Sequence, residues 1–341
     1  MKLEIPDIRR VTLELLTQIP KGKLTTYQAL AMALGDTMAT RAVGAIMAAN
    51  EQIEKYPCYK VVHNDGRVGE YSGAGGSLEK MKRLQAEGIE VRDGYVPNLS
   101  KYLFKEFKCD KPLKKLQQLQ DQLGERVSLE SAVPEPKTAG GVDVSYAQRN
   151  FGPATAAYVK LDLASKKLLF SETLEQDVTF PYIPTYLAFR EIPLLLALLQ
   201  RLKESNKLAD VTLVDGNGIL HPRRAGIASH LGVLLDIPTI GITKSLLCGE
   251  VNLENIKPGE IRHVFLNGQK VGAAMKATER AQAIFVSPGH KIDLEDAIQI
   301  TRACLTAQRL PEPIALAHNI SKEASLVHKL SQRDKQMALE L

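Results

Sequence analysis

The chain changes character between residues 101 and 113, where charged and aromatic residues dominate. Before this segment the pattern is one of short helices and turns, whereas beyond it short apolar segments typical of strands alternate with helix-like segments. A length of 341 residues also exceeds what one hydrophobic core usually organises. We therefore predict two domains, residues 1–100 and 114–330, joined by a linker at 101–113 and followed by a polar tail at 331–341.

Two helices joined by a tight turn are predicted in the first domain. Thr25 or Thr26 can cap a helix that continues through Leu34, and Thr40 can cap a second helix whose apolar residues repeat at helical spacing. The turn between them, Gly35–Asp36, makes the pair a helix-turn-helix candidate. Two helices that merely pack together would give the same pattern, so both interpretations stay open at this point.

The second domain is predicted to be a mixed α/β fold. Strand-like and helix-like segments follow one another along it, which is the order expected of a sheet covered by helices. The predicted strands are 141–146, 155–161, 168–174, 211–214 and 239–242, and the predicted helices are 114–127, 184–204 and 223–235.

The bulk composition limits the function only weakly. A formal net charge of +5 and a pI near 8.8 permit nucleic-acid binding without requiring it, because acidic residues balance basic ones through much of the chain. The four cysteines have no short paired spacing, so we expect reduced thiols and neither zinc sites nor disulfides. The first residues lack a signal-peptide pattern, and the longest apolar run, 192–199, is far below the roughly 20 residues that span a bilayer. We therefore expect a cytoplasmic monomer that does not bind membranes.

Cys58 is a candidate nucleophile, and it lies between Pro57 and the pair Tyr59-Lys60. A free thiol has a pKa of about 8.5 and is mostly protonated at neutral pH. An alkyl acceptor therefore needs neighbours that remove its proton or stabilise the thiolate. A buried, inert thiol is the alternative, and it is the commoner situation for a lone cysteine. The wider sequence around Cys58 is needed to choose between them.

That wider sequence resembles one family of repair proteins. The matching residues, in order, are Ile19–Tyr27, Arg41–Ala45, Asn50, Pro57-Cys58, Tyr71–Gly73 and Glu87-Gly88. Across residues 3–95 their order and spacing closely resemble the O6-alkylguanine-DNA alkyltransferase family. The resemblance implies a mainly helical, winged-helix-like domain that contains a helix-turn-helix and needs no cofactor.

The resemblance implies a suicide repair reaction on double-stranded or single-stranded DNA that carries O6-alkylguanine. The modified guanine would be flipped out of the stack, and Cys58 would take its alkyl group irreversibly. Arg41 would fill the gap left in the stack, and Tyr27 would press on the phosphate of the rotated nucleotide. Supporting roles are implied for Asn50, which would hold the turn before the cysteine, and for Tyr71 and Ser72, which would line the guanine pocket.

The chain departs from this family directly after the cysteine. The family has histidine and arginine where this chain has Tyr59 and Lys60, and the histidine relays the thiol proton towards a glutamate that here would be Glu87. Tyrosine, with a pKa of about 10, will not readily hold an extra proton, and lysine lacks the planar fork of arginine. We predict that transfer is retained but altered, with Cys58, Tyr59 and Glu87 as its catalytic residues. The alternative is a lesion sensor that transfers nothing and recruits the second domain.

Three carboxylates of the second domain form a candidate metal site. Asp143 lies within the strand-like segment 140–146, where an acidic side chain is costly unless it binds a cation or hydrogen-bond donors. Asp215 ends the apolar segment 212–214, and Glu191 lies on a predicted helix. Asp215 alone is most simply a loop-capping residue, but two such acids in neighbouring strands plus one on a helix form a metal-ligand set.

A cluster of aromatic residues precedes Glu191. Four of the chain's eighteen phenylalanines and tyrosines (8 Phe and 10 Tyr) fall between residues 180 and 189, which indicates either a stacking surface or core packing. Across residues 114–330, six short motifs then resemble endonuclease V in order. They are Gly141-Val142-Asp143, Phe189-Arg190-Glu191, Val214-Asp215-Gly216, His221-Pro222-Arg223, Ile242–Ser245 and Ser287–His290.

This second resemblance implies a ribonuclease H-like fold that nicks DNA containing deoxyinosine. The cut would fall at the second phosphodiester bond on the 3′ side of the lesion. Asp143, Glu191 and Asp215 would bind Mg²⁺, or Mn²⁺ in its place, and His318 is a weaker candidate for the same site. An endonuclease that acts mainly on RNA containing inosine is the alternative.

The same resemblance implies contacts with the nucleic acid. Lys244 would act at the scissile phosphate as a catalytic residue, and His221 and Arg190 would contact the DNA. Tyr182 would separate the two strands at the lesion as a wedge, with core packing as its alternative. His290 has two open interpretations, a nucleic-acid contact and a structural loop residue.

Overall fold

The computed structural model describes residues 4–148 and 150–339, with side chains described to residue 327. The chain forms two compact units. The N-terminal unit comprises Lys2–Gln118 together with Thr179–Tyr186, and the C-terminal unit comprises Leu119–Val178 together with Leu187–Leu341. The segment 179–186, which the sequence pattern places in the second domain, is therefore part of the N-terminal unit.

The N-terminal unit is mainly helical. Its helices are α1 (Ile8–Leu16), α2 (Tyr27–Leu34), α3 (Thr40–Ala48), α4 (Gly76–Ala86) and α5 (Leu99–Tyr102), and two short strands, β1 (Thr25–Thr26) and β2 (Val61–Val62), pair in parallel. Helix α6 (Pro112–Glu125) covers the sequence boundary between the units. One core cluster of the unit contains Leu24, Val62 and Leu84, all fully buried.

Local capping builds the turn between α2 and α3. Thr26 Oγ1 accepts a hydrogen bond from Ala29 N at 3.1 Å, which confirms the predicted cap of α2. Gly35 ends this helix in the left-handed region, at φ 108°, a conformation that favours glycine. The predicted capping of α3 by Thr40 is wrong. Thr40 is the first residue of the helix and donates its hydroxyl to Thr37 O, because a 3-10 turn at 37–39 precedes it.

The C-terminal unit is built on one mixed sheet. Its strands are β3 (Thr138–Tyr146), β4 (Gly152–Asp162), β5 (Leu168–Val178), β6 (Val211–Asp215), β7 (Thr239–Thr243), β8 (Ile261–Leu266), β9 (Gln269–Met275) and β10 (Ile284–His290). They lie in the order β5-β4-β3-β6-β7-β10-β9-β8. The pairs β3–β6 and β6–β7 are parallel, and the other described pairs are antiparallel.

The helices of this unit are α7 (Leu187–Glu204), α8 (Ile227–Leu235), α9 (Leu294–Cys304) and α10 (Glu312–Leu339). Each of the five predicted strands lies inside an observed one, but β8, β9, β10 and α9 were not predicted. Helices α7 and α8 begin later than predicted, because Thr185 and Arg224 have positive φ, which interrupts a helix. Helix α10, which was also not predicted, continues to Leu339, so the predicted polar tail at 331–341 is helical as far as that residue. Within the described part of the chain, no helix has the length and apolar character needed to cross a bilayer.

Candidate active sites

Cys58 begins a short 3-10 turn, Cys58–Lys60, in the N-terminal unit. Its side chain is 4% exposed, and its backbone N–H donates to Tyr56 O at 2.7 Å. Asn50 holds the preceding loop with both ends of its amide. Its Nδ2 donates to Tyr56 O at 2.9 Å, and its Oδ1 accepts from Gln52 N at 3.1 Å. The loop that carries the thiol is therefore hydrogen-bonded to its own scaffold.

The thiol lies in the wall of a pocket of about 280 Å³. Ser72 Oγ is 3.6 Å from Cys58 Sγ and donates to Asn50 O. The Tyr71 hydroxyl is buried and has no hydrogen-bond partner among the described residues. An unpaired buried donor costs about 1–3 kcal/mol, so an acceptor on a ligand in this pocket would stabilise it. The remaining wall residues are Tyr27, Gly44, Met47, Ala48 and Glu70.

A wider groove of about 570 Å³ shares part of this wall. Arg41 is the second residue of α3, is exposed and lines the groove. Tyr27 lines both the groove and the pocket. Of the residues that sequence analysis assigned to the alkyltransferase site, five line these two cavities, namely Tyr27, Arg41, Cys58, Tyr71 and Ser72. Asn50 holds the loop that precedes Cys58.

Glu87 is fully engaged by hydrogen bonds. Tyr59 donates its hydroxyl to Glu87 Oε1 at 2.6 Å, Lys60 Nζ lies 2.8 Å from Oε2, and Gly22 N donates to Oε2 at 2.9 Å. Burial acts to raise the pKa of Glu87, but these bonds outweigh it and hold the pKa below its usual value. Burial and the bond to Glu87 raise the pKa of Tyr59. The hydroxyl proton of Tyr59 is therefore held in a hydrogen bond to the charged Glu87 carboxylate.

Lys80 is a buried cation that sequence analysis missed. Its side chain is 1% exposed, and Nζ donates to Glu70 O at 3.0 Å. Burial lowers the pKa of Lys80 to about 8, while negative charge on Cys58 and Glu70 acts in the opposite direction. A thiolate at Cys58 is therefore attracted to this ammonium group. The available signal was its spacing, four residues before the buried Leu84 on the inner face of α4.

In the C-terminal unit, the sheet register brings Asp143 beside Asp215. Strands β3 and β6 pair in parallel with Val142 opposite Val214, so the next residues along the two strands are the two aspartates. Parallel strands end at the same edge of a sheet, which places two carboxyl groups next to each other. Sequence analysis predicted this pair from the strand pattern alone.

Helix α10 packs directly onto β3 beside Asp143. A Cβ at Gly141 would lie 2.2 Å from Pro313 O, so only glycine allows this approach. Asp143 Oδ2 accepts from Ser321 Oγ at 2.9 Å and lies 3.2 Å from His318 Nδ1. The predicted His318 therefore reaches the site, and Ser321, which was missed, joins it from the same face of the helix.

Glu191, on α7, adds a third carboxyl group. It is 7% exposed and accepts a hydrogen bond from the Tyr146 hydroxyl at 2.5 Å. Burial raises the pKa of Glu191 to about 8, and the charges of Asp143 and Asp215 act in the same direction. Burial also raises the pKa of Asp215, although Lys244, whose Nζ lies 2.9 Å from Asp215 Oδ2, opposes this. The three carboxyl groups would form a region of concentrated negative charge once Glu191 loses its proton.

The backbone of Lys244 is clamped just after β7 ends. Arg309 Nη2 donates to Lys244 O at 2.6 Å and to Ala283 O at 2.9 Å. The clamp fixes the root of the lysine side chain, whose ammonium group is the one that faces Asp215. Arg309 is a further residue of the site that sequence analysis missed.

Two predicted DNA contacts are buried. Arg190 packs its guanidinium 4.4 Å from the centre of the Tyr146 ring and donates to Asn150 O at 2.7 Å. His221 is 3% exposed, and its Nδ1 accepts from Arg223 N at 3.2 Å. In this structure both residues support neighbouring backbone, and their contact with DNA stays a prediction.

Tyr182 and His290 differ sharply in exposure. Tyr182 lies in the N-terminal unit and is 55% exposed, which argues against core packing. His290 is buried, accepts from Ser128 N at 3.1 Å through Nδ1, and lies 3.5 Å from Asp236 through Nε2. Of the two interpretations of His290, the structure therefore favours the structural one.

Comparisons with known proteins cover both units. The Endonuclease V family model matches residues 121–319, and the model for the 6-O-methylguanine DNA methyltransferase DNA-binding domain matches residues 7–89. A bifunctional methyltransferase/endonuclease of Picrophilus torridus is 37% identical over 314 residues, which cover 92% of this chain and 95% of that protein. The chain belongs to the bifunctional methyltransferase/endonuclease family.

Solved structures match the C-terminal unit of this family member. The catalytic domain of human Endonuclease V gives a TM-score of 0.59 at 33% identity, covering 64% of this chain and 97% of that one. Endonuclease V of Ciona intestinalis, in complex with a 24mer DNA containing an inosine followed by a ribo-adenosine, gives 0.56 at 32% identity, covering 63% and 98%. The chain therefore joins an alkyltransferase-like region to an Endonuclease V-like mixed sheet.

The carboxylate site of the C-terminal unit has the ligand chemistry of a hard divalent cation, which prefers carboxylate oxygens. Among the described residues, no group of three or more His, Cys, Asp or Glu side chains is arranged to hold a metal ion. Instead, Lys244 and His318, each 41% exposed, lie against Asp215 and Asp143. The donor types fit Mg²⁺.

Proposed function

We propose that this protein repairs DNA by two independent reactions. The first moves the alkyl group of O6-alkylguanine irreversibly to Cys58. The second nicks DNA at the second phosphodiester bond 3′ to deoxyinosine and depends on Mg²⁺. The observation that carries the proposal is that each unit holds its own reactive set: a buried thiol in a pocket wall, and three carboxyl groups whose negative charges would repel one another once all three are ionised.

The relatives support this assignment, since the Picrophilus protein is named for both activities and the Ciona structure contains DNA with an inosine. Two assays test it: the intact mass of the protein after incubation with DNA carrying O6-methylguanine, and nicking of DNA carrying deoxyinosine with Mg²⁺. A protein that gains no alkyl group and cuts no inosine strand would contradict the proposal.

The finer fold assignment belongs to the same proposal. Helices α2 and α3 with the Gly35–Asp36 turn would form the helix-turn-helix of a winged-helix-like domain, which leaves Arg41 exposed at the start of the second helix. The acids on the adjacent parallel strands β3 and β6 would be the central pair of a ribonuclease H-like sheet.

In the alkyl transfer, the Cys58 thiolate attacks the alkyl carbon. The S–C bond forms as the C–O6 bond breaks, and guanine leaves with the electron pair and takes up a proton. Because the Tyr59 proton is committed to Glu87, we assign Tyr59, Lys60 and Glu87 to holding the turn that carries the thiol. The Lys80 ammonium would stabilise the thiolate, and the unpaired Tyr71 hydroxyl would donate to the bound base.

Lys80→Met is expected to slow methyl uptake at pH 7 by about tenfold or more, since the variant lacks the ammonium group that attracts a thiolate at Cys58. The loss should shrink as the pH rises through about 8, the pKa of Lys80, because the wild-type side chain then loses the charge that the variant lacks. Single-turnover methyl uptake from pH 6.5 to 9.5 measures both effects.

Lys82→Met is the matched control, because Lys82 is exposed on the same helix. It is expected to react at the wild-type rate throughout. A Lys80→Met defect that is equally large at every pH would contradict the assignment of Lys80 to thiolate stabilisation.

In the nuclease reaction, Mg²⁺ held by Asp143, Glu191 and Asp215 would activate water and offset charge on the phosphate. Ser321 holds the Asp143 carboxylate, and Tyr146 holds that of Glu191. Lys244, with its backbone clamped, would turn its ammonium group from Asp215 to the phosphate.

The raised pKa of Glu191 predicts how stability depends on pH without divalent ions. The folded protein keeps the Glu191 proton up to a pH of about 8, whereas an ordinary glutamate loses it near 4.5. Between these values the folded state binds more protons than the unfolded chain, so the free energy of unfolding falls as pH rises. Glu191→Gln, which mimics the protonated form, is expected to reduce this fall. Thermal unfolding with EDTA across this pH range checks it, and an unchanged pH dependence in the variant would count against Glu191 as the cause.

A further inference from the structure

The segment Thr179–Tyr186 has one exposed aromatic side chain, Tyr182, while the other large apolar and aromatic side chains of the segment are buried. It belongs to the N-terminal unit, although its sequence lies within the part matched to Endonuclease V. Phe180, Ile183 and Tyr186 are 4%, 0% and 0% exposed, whereas Tyr182 between them is 55% exposed. Pro181 and Pro184 lie on either side of the pair Tyr182-Ile183, and the proline ring fixes φ at each proline. The segment is therefore a short stiff loop, which we call the tyrosine loop, that projects Tyr182.

The base of the tyrosine loop is bonded to the turn between α2 and α3. The Tyr186 hydroxyl donates to Asp36 Oδ2 at 2.7 Å. Gln117 Nε2 donates to the same Oδ2 at 2.8 Å and to the Tyr186 hydroxyl at 2.7 Å. Asp36 also accepts from Met38 N at 2.9 Å, through Oδ1, as the cap of the 3-10 turn that leads into α3. Hydrogen bonds to a carboxylate are stronger than neutral ones, so this three-residue contact fixes the loop to the helix pair.

Close packing on the other side of the turn limits its movement. A Cβ at Gly35 would lie 3.0 Å from Lys114 N and 3.2 Å from Lys114 Cγ. Lys114 and Gln117 are both on α6, so one helix contacts the turn and also bonds to Tyr186. The turn is therefore held between α6 and the tyrosine loop.

We propose that Asp36 and Gln117 are positioning residues for the nuclease, which act by holding Tyr186 and thereby the loop that presents Tyr182 to DNA. The helix pair of the alkyltransferase-like region then has a second role, as the support of the nuclease's strand-opening loop. This inference rests on the proposed nuclease function. Neither residue is part of the carboxylate site or of the pocket that contains Cys58.

The strandedness of the substrate separates this role from a general structural one. A wedge is needed only where two paired strands must be separated, whereas an unpaired deoxyinosine is already accessible. A loosened tyrosine loop should therefore slow the nicking of duplex DNA and spare single-stranded DNA of the same sequence. General damage to the nuclease would slow both equally.

Tyr186→Phe is the sharpest variant, because it removes only the hydroxyl group and keeps the buried ring. Single-turnover nicking with Mg²⁺ is measured on duplex and on single-stranded deoxyinosine oligonucleotides. The duplex rate is expected to fall about tenfold, which corresponds to the loss of one strong hydrogen bond, while the single-strand rate stays within about twofold. Asp36→Asn, which keeps one acceptor oxygen but no charge, is expected to lie between wild type and Tyr186→Phe on duplex DNA.

A second readout follows strand opening directly. A fluorescent base analogue next to the lesion reports unstacking when the protein binds with Ca²⁺ in place of Mg²⁺, so no cutting is required. Tyr182→Ala defines the signal of a missing wedge, and Tyr186→Phe is expected to lose part of the fluorescence change. Methyl uptake by Cys58, expected at the wild-type rate, and a melting temperature that falls by no more than a few degrees, as the loss of one hydrogen bond allows, report that the N-terminal unit is folded.

Tyr158→Phe is the matched control, since Tyr158 is a fully buried tyrosine whose hydroxyl accepts from Ala209 N in the C-terminal unit. It is expected to show no difference between the two substrates. Equal losses on duplex and single strand in Tyr186→Phe, or an undiminished duplex rate, would overturn the inference. Absence of nicking by the wild-type protein on both substrates would instead reject the nuclease function itself.

Discussion

Cys58→Ser is expected to abolish alkyl uptake completely, because a serine hydroxyl stays protonated at neutral pH and is a far weaker nucleophile than a thiolate. The wild-type protein should gain one methyl group when it is incubated with excess duplex carrying one O6-methylguanine. The measurement is the intact mass of the protein, made without divalent ions so that the nuclease is inactive. This experiment also decides between a transferase and a lesion sensor.

Cys304→Ser is the control for removing a buried thiol elsewhere. Burial raises the pKa of Cys304 to about 12, so this thiol should not react, and the variant should gain the methyl group as wild type does. Uptake that persists in Cys58→Ser would move the acceptor to another residue. If wild type gains no mass, the N-terminal unit is a binding module, and the committed Tyr59 proton would be the physical reason.

Asp143→Ala is expected to lower Mg²⁺-dependent nicking by at least about a thousandfold, as removal of a central catalytic group commonly does. Binding to deoxyinosine DNA should persist, because the metal acts on the phosphate and need not hold the base. The measurements are single-turnover nicking and an equilibrium binding titration with Ca²⁺. The variant should melt no lower than wild type in EDTA, since it relieves repulsion at Asp215 and Glu191.

Asp162→Ala is the matched control, because it removes a carboxylate from the neighbouring strand β4. Asp162 pairs with Thr138, at the end of β3 away from Asp143. It should nick at the wild-type rate. Substantial Mg²⁺-dependent cleavage by Asp143→Ala would remove Asp143 from the catalytic set. The same assay on strands carrying inosine in ribose or deoxyribose form tests whether RNA is the preferred substrate.

Residues on regular elements were the ones that could be predicted from the sequence. The cap of α2 and the five predicted strands follow from rules that act over a few residues, namely capping and short apolar segments. The side-by-side placement of Asp143 and Asp215 depends on the register between two distant strands. Strand β10 was missed because it contains Pro288 and Gly289, two residues that are uncommon inside strands.

The amino-acid sequence by itself determined the two-part organisation, both family resemblances and the positions of the reactive thiol and carboxylates, because these are carried by local order and spacing. Only the tertiary structure decided which groups surround them. Lys80 beside Cys58, Ser321 beside Asp143, the committed bond from Tyr59 to Glu87 and the bond from Tyr186 to Asp36 join residues as far as 178 positions apart. Charge state and hydrogen bonding depend on distance in space and on burial, and neither is encoded in the spacing of residues along the chain.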